Sequence, residues 1–456
     1  MSAKLEQAPS LERASPDAAP RPLFGLKEAV AVVVGNVIGS GIFKLPPLVA
    51  KFTGSVEVMM IAWVLGGVVS ILGALCYAEL GAARPDAGGE YHFLDHGFGR
   101  DLARLFAWAR MTVICSGSIA LFAFVFGDYA TQLLNLGPYS APIYSALLVA
   151  VLTAVNVAGV QAGKRTQNWL TVLQVAGLLA VIVAGFFFAG PRSEAAAPSA
   201  LPEAGAFGLA MVFVLYTYGG WNDAAYLTAE IQHGHRNIAR SLILGLSIVT
   251  VLYLLVSLAY LNGLGFAALA KSDAVAADLL RGAWGPAGAA LISIIVGVCA
   301  ITACNATILT GGRSGYAMGR DWSLFRGLGV WKGGGHDGFS GGPRNALIAQ
   351  GIISLALVAF GTWRSKGVET MVDYTAPVFW LFFFLTGMSL FIFRQWEPNA
   401  SRPFKVPFYP LTPLVFCGVC IYMLYSSLAY AGAGALVGVG VLLVGVVLLI
   451  FDRRVR

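Results

Sequence analysis

The chain has 456 residues, 57% of them hydrophobic and 12% charged, with a mean hydropathy of +0.75. A soluble domain carries about a quarter charged residues, so that class is excluded. The net charge of +7 and pI near 9.1 reside in short loops between apolar segments, which removes any need to invoke nucleic acid. The G-x-x-x-x-G-K-[ST] signature does not occur, which argues against direct use of ATP.

Residues 1–22 are rich in Ala, Pro, Ser and charge and lack the apolar core of a signal peptide, so a disordered cytoplasmic tail is expected. A transporter core is expected over 23–400, with two further spans and a short cytoplasmic C-terminus over 401–456. Apolar runs fall near 27–50, 57–80, 104–134, 141–159, 167–190, 205–229, 239–265, 285–312, 345–363, 369–393, 408–429 and 433–451. Each approaches the roughly 20 residues a helix needs to cross a bilayer, giving an all-α integral membrane protein with twelve transmembrane helices. The long third run is taken as one tilted helix with an amphipathic foot.

The first run contains Gly35, Gly39 and Gly41 at the depth where a membrane helix least tolerates a break. Backbone groups freed in hydrocarbon cost several kcal/mol each unless they face protein, water or a ligand. A half-helix starting near Ser40 would aim N–H groups and a positive dipole end at the gap, which suits a small anion such as an amino-acid carboxylate. Lys44 follows within the same run. It could line an outer vestibule, pair with Asp128 or Asp373, or snorkel to the surface.

The sixth run repeats the pattern. Tyr216-Thr217-Tyr218-Gly219-Gly220-Trp221-Asn222-Asp223 places a glycine pair among polar groups at mid-span. Interruptions at matching positions, five spans apart, point to an inverted repeat of spans 1–5 and 6–10 with spans 11 and 12 appended. Asp223, just inside this second break, could contact a cationic substrate or an inner gate. Glu230 and Arg236 could form a gate-closing ion pair. Cys76, Cys115, Cys299, Cys304, Cys417 and Cys420 all lie in apolar runs and are read as small buried hydrophobes, including the Cys417-x-x-Cys420 pair. No metal or other cofactor is implied.

With both termini in the cytoplasm, only Lys51, Arg192, Lys271, Arg281, Arg364 and Lys366 of the 30 Lys and Arg fall outside, Lys44 being within a span. That asymmetry fixes the orientation and suits a plasma membrane, in bacteria the inner membrane.

Gly39-Ser40-Gly41-Ile42-Phe43 with Leu45-Pro46 resembles the first-helix motif of the amino acid–polyamine–organocation superfamily. Three more stretches match in order: Pro85–Tyr91 with Phe98-Gly99, then Tyr218–Asn222 with Ala229–Ile231 and Arg236–Ile238, then Arg313–Asp321. The resemblance covers roughly 25–400 and is nearest to the L-type amino acid transporter branch and its bacterial relatives. It implies a LeuT-type 5+5 inverted repeat with discontinuous helices 1 and 6. The activity it implies is alternating-access transport of L-amino acids by a permease or antiporter, not an enzyme.

By the same resemblance, the N–H groups of Ser40, Gly41 and Ile42, with the Ser40 hydroxyl, would take the α-carboxylate. Carbonyls of Val37, Tyr216 and Gly219 would take the α-ammonium. Tyr216 matches an aromatic gate, Asn222 a polar residue near the side-chain pocket, and Asn305 an asparagine facing the central path. A bulky residue at Gly41 is expected to fill the carboxylate niche. In many related permeases span five carries a lysine, where this chain has Gln174. An amide can donate to the freed carbonyls of span one but cannot titrate, so lysine-mediated proton coupling is not expected.

Neutral substrates are expected over cationic ones, because no acid falls at the midpoint of spans one, three, eight or ten; a cationic amino acid or polyamine is the alternative. Animal L-type transporters use a cysteine between spans three and four to link a single-span glycoprotein. Residues 135–140 here have none, so no obligate disulfide-linked subunit is expected. Two remoter readings are a membrane acyltransferase using His96-x4-Asp101 and a non-transporting amino acid sensor.

Overall fold

The computed structural model describes residues 25–84, 89–159, 164–188, 205–222, 234–331, 342–430 and 432–455. Asp223 and Glu230 lie outside the described residues, as does the side chain of Arg236. Each of the twelve apolar runs contains helix over its described part, the first and sixth with an interruption. Among the described residues nine helices are long and apolar enough to cross a membrane, and two shorter apolar ones are Val172–Phe187 and Ala206–Thr217.

The first run divides into α1 (Leu26–Val37), a 3₁₀ segment (Ser40–Phe43) and α2 (Pro46–Thr53). Pro46 suits the start of α2, where its missing N–H costs nothing. Ser55 then caps α3 (Val56–Ala83), accepting the Val58 N–H at 3.3 Å. After α4 (Glu90–Phe98), the third run is continuous from α5 (Arg100–Ala109) through a π-helical stretch (Arg110–Cys115) into α6 (Ser116–Leu133). It is one continuous helical run over Arg100–Leu133, long and apolar enough to cross a membrane once.

The remaining helices are α7 (Ser140–Val157), α8 (Lys164–Phe187), α9 (Ala206–Thr217), α10 (Gly234–Leu264), α11 (Phe266–Leu269), α12 (Val275–Asp321), α13 (Arg344–Trp363), α14 (Gly367–Trp396), α15 (Leu411–Ala429) and α16 (Ala433–Val455). Within α12, Gly285 leaves the helical region at φ 70°, ψ −163° and Pro286 follows, so two helices meet there at a kink, at the start of the apolar run 285–312.

Two packing groups emerge. The broken first span, α3, α9 and α10 pack together; so do α6, α7, α12 and α13. α8 touches both α10 and α12, while α14 packs against α15 and α16.

Charges at the end of the bundle near the α14 C-terminus are paired. Fully buried Glu79 takes two hydrogen bonds from Arg394, at 2.8 and 2.6 Å, and the Val406 N–H at 2.6 Å. Removing one partner of such a buried pair costs about 3–5 kcal/mol. Beside it, hydrogen bonds from Arg84 and His96 lower the Glu397 carboxyl to about 2, so this carboxylate stays ionised at physiological pH. His96 is therefore occupied by Glu397, at 3.0 Å, while Asp101 faces Arg104 on α5. The His96 and Asp101 spacing thus brings together no acid–base pair. All six cysteines are buried and none forms a disulfide, and no group able to hold a metal occurs among the described residues.

Candidate functional site

Both interruptions are real breaks in the backbone. α1 stops at Val37; Ile38 (φ −70°, ψ 101°) and Gly39 (φ −121°, ψ −171°) are extended before the 3₁₀ segment begins. α9 stops at Thr217, and Tyr218, Gly219 and Gly220 form a turn before Trp221 and Asn222. Gly220 is required there twice over. Its φ is +104°, and a Cβ would lie 2.4 Å from the Asn36 carbonyl oxygen. The two breaks therefore touch, backbone to backbone.

Freed carbonyls at these breaks are partly capped. The Tyr253 hydroxyl, from α10, donates to Val37 O at 2.9 Å and lies 3.2 Å from Thr217 O, so one donor is shared across both broken helices. The Tyr216 carbonyl accepts the Gly219 N–H at 3.1 Å. The half of the first span that follows the break is held by Tyr129, which donates to Phe43 O at 2.6 Å. These tyrosines carry no sequence motif; a hydroxyl in an apolar helix was the available signal.

A cavity of about 360 Å³ lies between the breaks, within the range of small-molecule sites. Val37, Gly41, Tyr216, Gly219, Asn222 and Gln174 line it. These residues come from three spans. Gly39 lines it as well. Ser40 sits just behind the wall, fully buried, and among the described residues its hydroxyl has no hydrogen-bond partner. An unpaired buried hydroxyl costs about 1–3 kcal/mol, a deficit that a bound ligand would remove. Ile42 is also fully buried, its side chain packed into the core.

Three placements differ from the sequence reading, and for Lys44 the structure selects one of the alternatives it left open. Asn305 is not on the cavity wall: it accepts a hydrogen bond from Asn156 on α7 at 2.7 Å. Among the described residues Gln174 makes no hydrogen bond to a carbonyl of span one; its side chain lies near the Cys299 thiol on α12. A Cβ at Gly41 would sit 3.4 Å from Thr217 Cα, so a larger side chain would wedge between the broken helices rather than fill a niche. Lys44 neither lines the cavity nor snorkels: its ammonium is 2.7 Å from Asp128 and donates to the Asp273 carbonyl, while Asp373 instead accepts the Gly432 N–H at 3.1 Å.

Two wall features were not assigned from sequence. Phe379, Phe382 and Phe383 of α14 give the cavity an aromatic side, with the Phe379 and Phe383 rings 4.3 Å apart. Glu90 and Arg110 line its other end, 3.1 Å apart. Glu90 lies within the quoted Pro85–Tyr91 motif, and Arg110 reads as one more loop-side cation; only the tertiary structure turns both inward. The exposed lining residues Asn36, Ala306 and Thr310 mark where the cavity opens.

Residues 24–451 match the amino acid permease family. This chain belongs to that family. The permease is 30% identical over 412 residues to the b(0,+)-type amino acid transporter 1 of Mus musculus, covering 89% of this chain and 82% of the relative. It is 29% identical over 447 residues to the large neutral amino acids transporter small subunit 2 of Homo sapiens, covering 93% and 80%. With its apolar helices, this makes the permease an integral membrane protein of the amino acid–polyamine–organocation superfamily that transports amino acids.

Proposed function

We propose that this permease is a secondary-active carrier or exchanger that moves neutral L-amino acids across the plasma membrane by alternating access, with both termini cytoplasmic. The observation that carries the reading is the single cavity shared by two touching helix breaks. One break presents the N–H groups of Ser40–Ile42 and the unpartnered Ser40 hydroxyl, suited to a carboxylate. The other presents the carbonyls of Tyr216 and Gly219, beside that of Val37, suited to an ammonium. Tyr216, bonded to Ser118 at 2.9 Å, would act as the gate over bound substrate, and Asn222 would lie near its side chain.

The packing groups support a twelve-span inverted repeat. Spans 1, 2, 6 and 7 associate, as do spans 3, 4, 8 and 9, so corresponding members of each half enter the same group. Neutral selectivity rests on the phenylalanine wall and on Glu90: among the described lining residues it is the acid present, and Arg110 neutralises it. Asp223 and Glu230 keep their proposed gate roles.

The test is uptake by the purified chain alone in liposomes. Labelled leucine uptake should saturate, and arginine or a polyamine should compete at least about tenfold more weakly than large neutral amino acids, as expected for an unpaired ammonium in an apolar pocket. Arginine outcompeting every neutral amino acid would overturn the selectivity and implicate Asp223. Strict dependence on a second polypeptide would refute self-sufficiency.

In the same vesicles, Gln174→Ala should slow transport several-fold by loosening α8 from α12. Its pH dependence should match wild type, because an amide does not titrate. Proton-driven accumulation that vanishes in Gln174→Ala would show that this position couples to protons after all.

A further inference from the structure

A second cavity, of about 240 Å³, lies at the N-terminal end of α14, away from the Glu79 and Arg394 contact. Arg364, Lys366, Glu369, Asp373, Phe52 and Phe213 line it. The two cations are exposed, Asp373 is half-buried and Phe213 is buried, so charge lies at the rim and aromatic surface behind it. Phe52 of α2 and Phe213 of α9 stack with ring centroids 5.7 Å apart. Both broken helices therefore reach this cavity as well as the first. Small residues shape its other side. A Cβ at Gly434 would lie 2.7 Å from Thr370 O, and one at Gly432 would lie 3.1 Å from Asp373 Oδ2, so α16 starts hard against α14.

The charges of this cavity are incompletely used. Glu369 lies 3.6 Å from both the Lys51 and the Lys366 ammonium groups, beyond the roughly 2.7–2.9 Å of a charge-assisted hydrogen bond. Among the described residues Arg364 has no carboxylate within 4.0 Å. Asp373 accepts the Gly432 N–H at 3.1 Å and has no cation within 4.0 Å. A bare phosphate would suit Arg364 and Lys366 but meet the Asp373 charge, and a bare cation would meet the reverse. A headgroup with a phosphate and a primary ammonium a few bonds apart satisfies both. Its N–H groups would donate to Asp373, and its phosphate oxygens would accept from Arg364 and Lys366. The surroundings suit a lipid rather than a free solute. Tyr430 on the wall and Trp363 beside Arg364 are exposed, as in the aromatic belt where spans leave the hydrocarbon. Leu428, Leu436 and Val437, at the adjoining ends of α15 and α16, are also exposed and offer apolar surface to acyl chains.

We propose that this cavity binds the headgroup of a phosphoethanolamine lipid, with Asp373 taking the ammonium and Arg364 and Lys366 the phosphate. Seated there, the lipid braces α14 and α16 against α2 and α9, the helices that carry the breaks. The proposal stands apart from the transport reading, because its test measures lipid binding alone. The purified full chain in detergent is titrated with phosphoethanolamine, phosphocholine and phosphoglycerol lipids of identical acyl chains, and with soluble phosphoethanolamine, while its melting temperature is followed. The phosphoethanolamine lipid should half-saturate the shift at a concentration at least about tenfold below the other two. Asp373→Asn keeps an acceptor for the Gly432 N–H and should raise that concentration about tenfold. The same variant should improve binding of the phosphoglycerol lipid, whose charge it no longer opposes. Arg364→Gln, at an exposed position that leaves the fold intact, should weaken all three lipids. Equal half-saturation by the three lipids, or an unchanged titration in the folded variants, would overturn the proposal. So would soluble phosphoethanolamine binding as tightly as the lipid, or leucine displacing the lipid, since the cavity would then serve a free solute.

Discussion

Replacing Gly39 with leucine should abolish amino-acid binding while leaving the protein folded. Gly39 lies in extended backbone at φ −121°, a region open to any residue, and a Cβ added there meets no atom within 4 Å. The space beyond is the cavity that Gly39 lines. A leucine would occupy ligand volume between the two breaks and screen the N–H groups of Ser40 and Gly41. Affinity should fall at least about 100-fold, roughly 2.8 kcal/mol at 1.4 kcal/mol per decade. The melting temperature of the unliganded protein should stay near wild type, and ligand-induced stabilisation should disappear. Gly220→Ala is the contrasting case: its strained φ and the 2.4 Å approach to Asn36 O should cost folding as well as binding. Wild-type affinity in a folded Gly39→Leu protein would place the substrate elsewhere.

The second large effect is expected at Lys44. Its side chain is 10% exposed and its Asp128 partner 22%, with the Asp273 carbonyl completing the contact. Together they tie the first broken span to α6 and to the segment preceding α12. Lys44→Met would leave a carboxylate with little solvent and no cation, a loss of about 3 kcal/mol. Lys44→Met/Asp128→Leu removes both charges and should regain more than half of the lost stability. Thermal melting of the four proteins completes the cycle. If the contact also holds the outer side closed, Lys44→Met should admit an outer-face thiol reagent to a cysteine placed at Tyr216 faster than the parent does. A single variant that melts like wild type would show the pair to be energetically idle.

The helices and both breaks were legible because their causes are local. Apolar length sets a span, and clustered glycines with polar neighbours set an interruption, whatever surrounds them. Residues near a break, such as Val37, Gly41, Gly219 and Asn222, were placed on the cavity because the backbone itself is the wall there.

Residues farther along a helix were a different matter. A helix turns by about 100° per residue, so a side chain's partner depends on how the whole element is rotated and tilted against its neighbours. Asn305 turns to Asn156, Gln174 to Cys299, and Lys44 selects Asp128 over Asp373. Tyr253 reaches two carbonyls 216 and 36 positions away, and Glu90 finds Arg110 across the cavity. The sequence by itself determined an all-helical membrane protein with two broken helices, because those properties follow from hydrophobic length and backbone chemistry. Which polar side chains cap the breaks, close the outer half and end the cavity was decided by helix packing, which alone brings distant positions to one point.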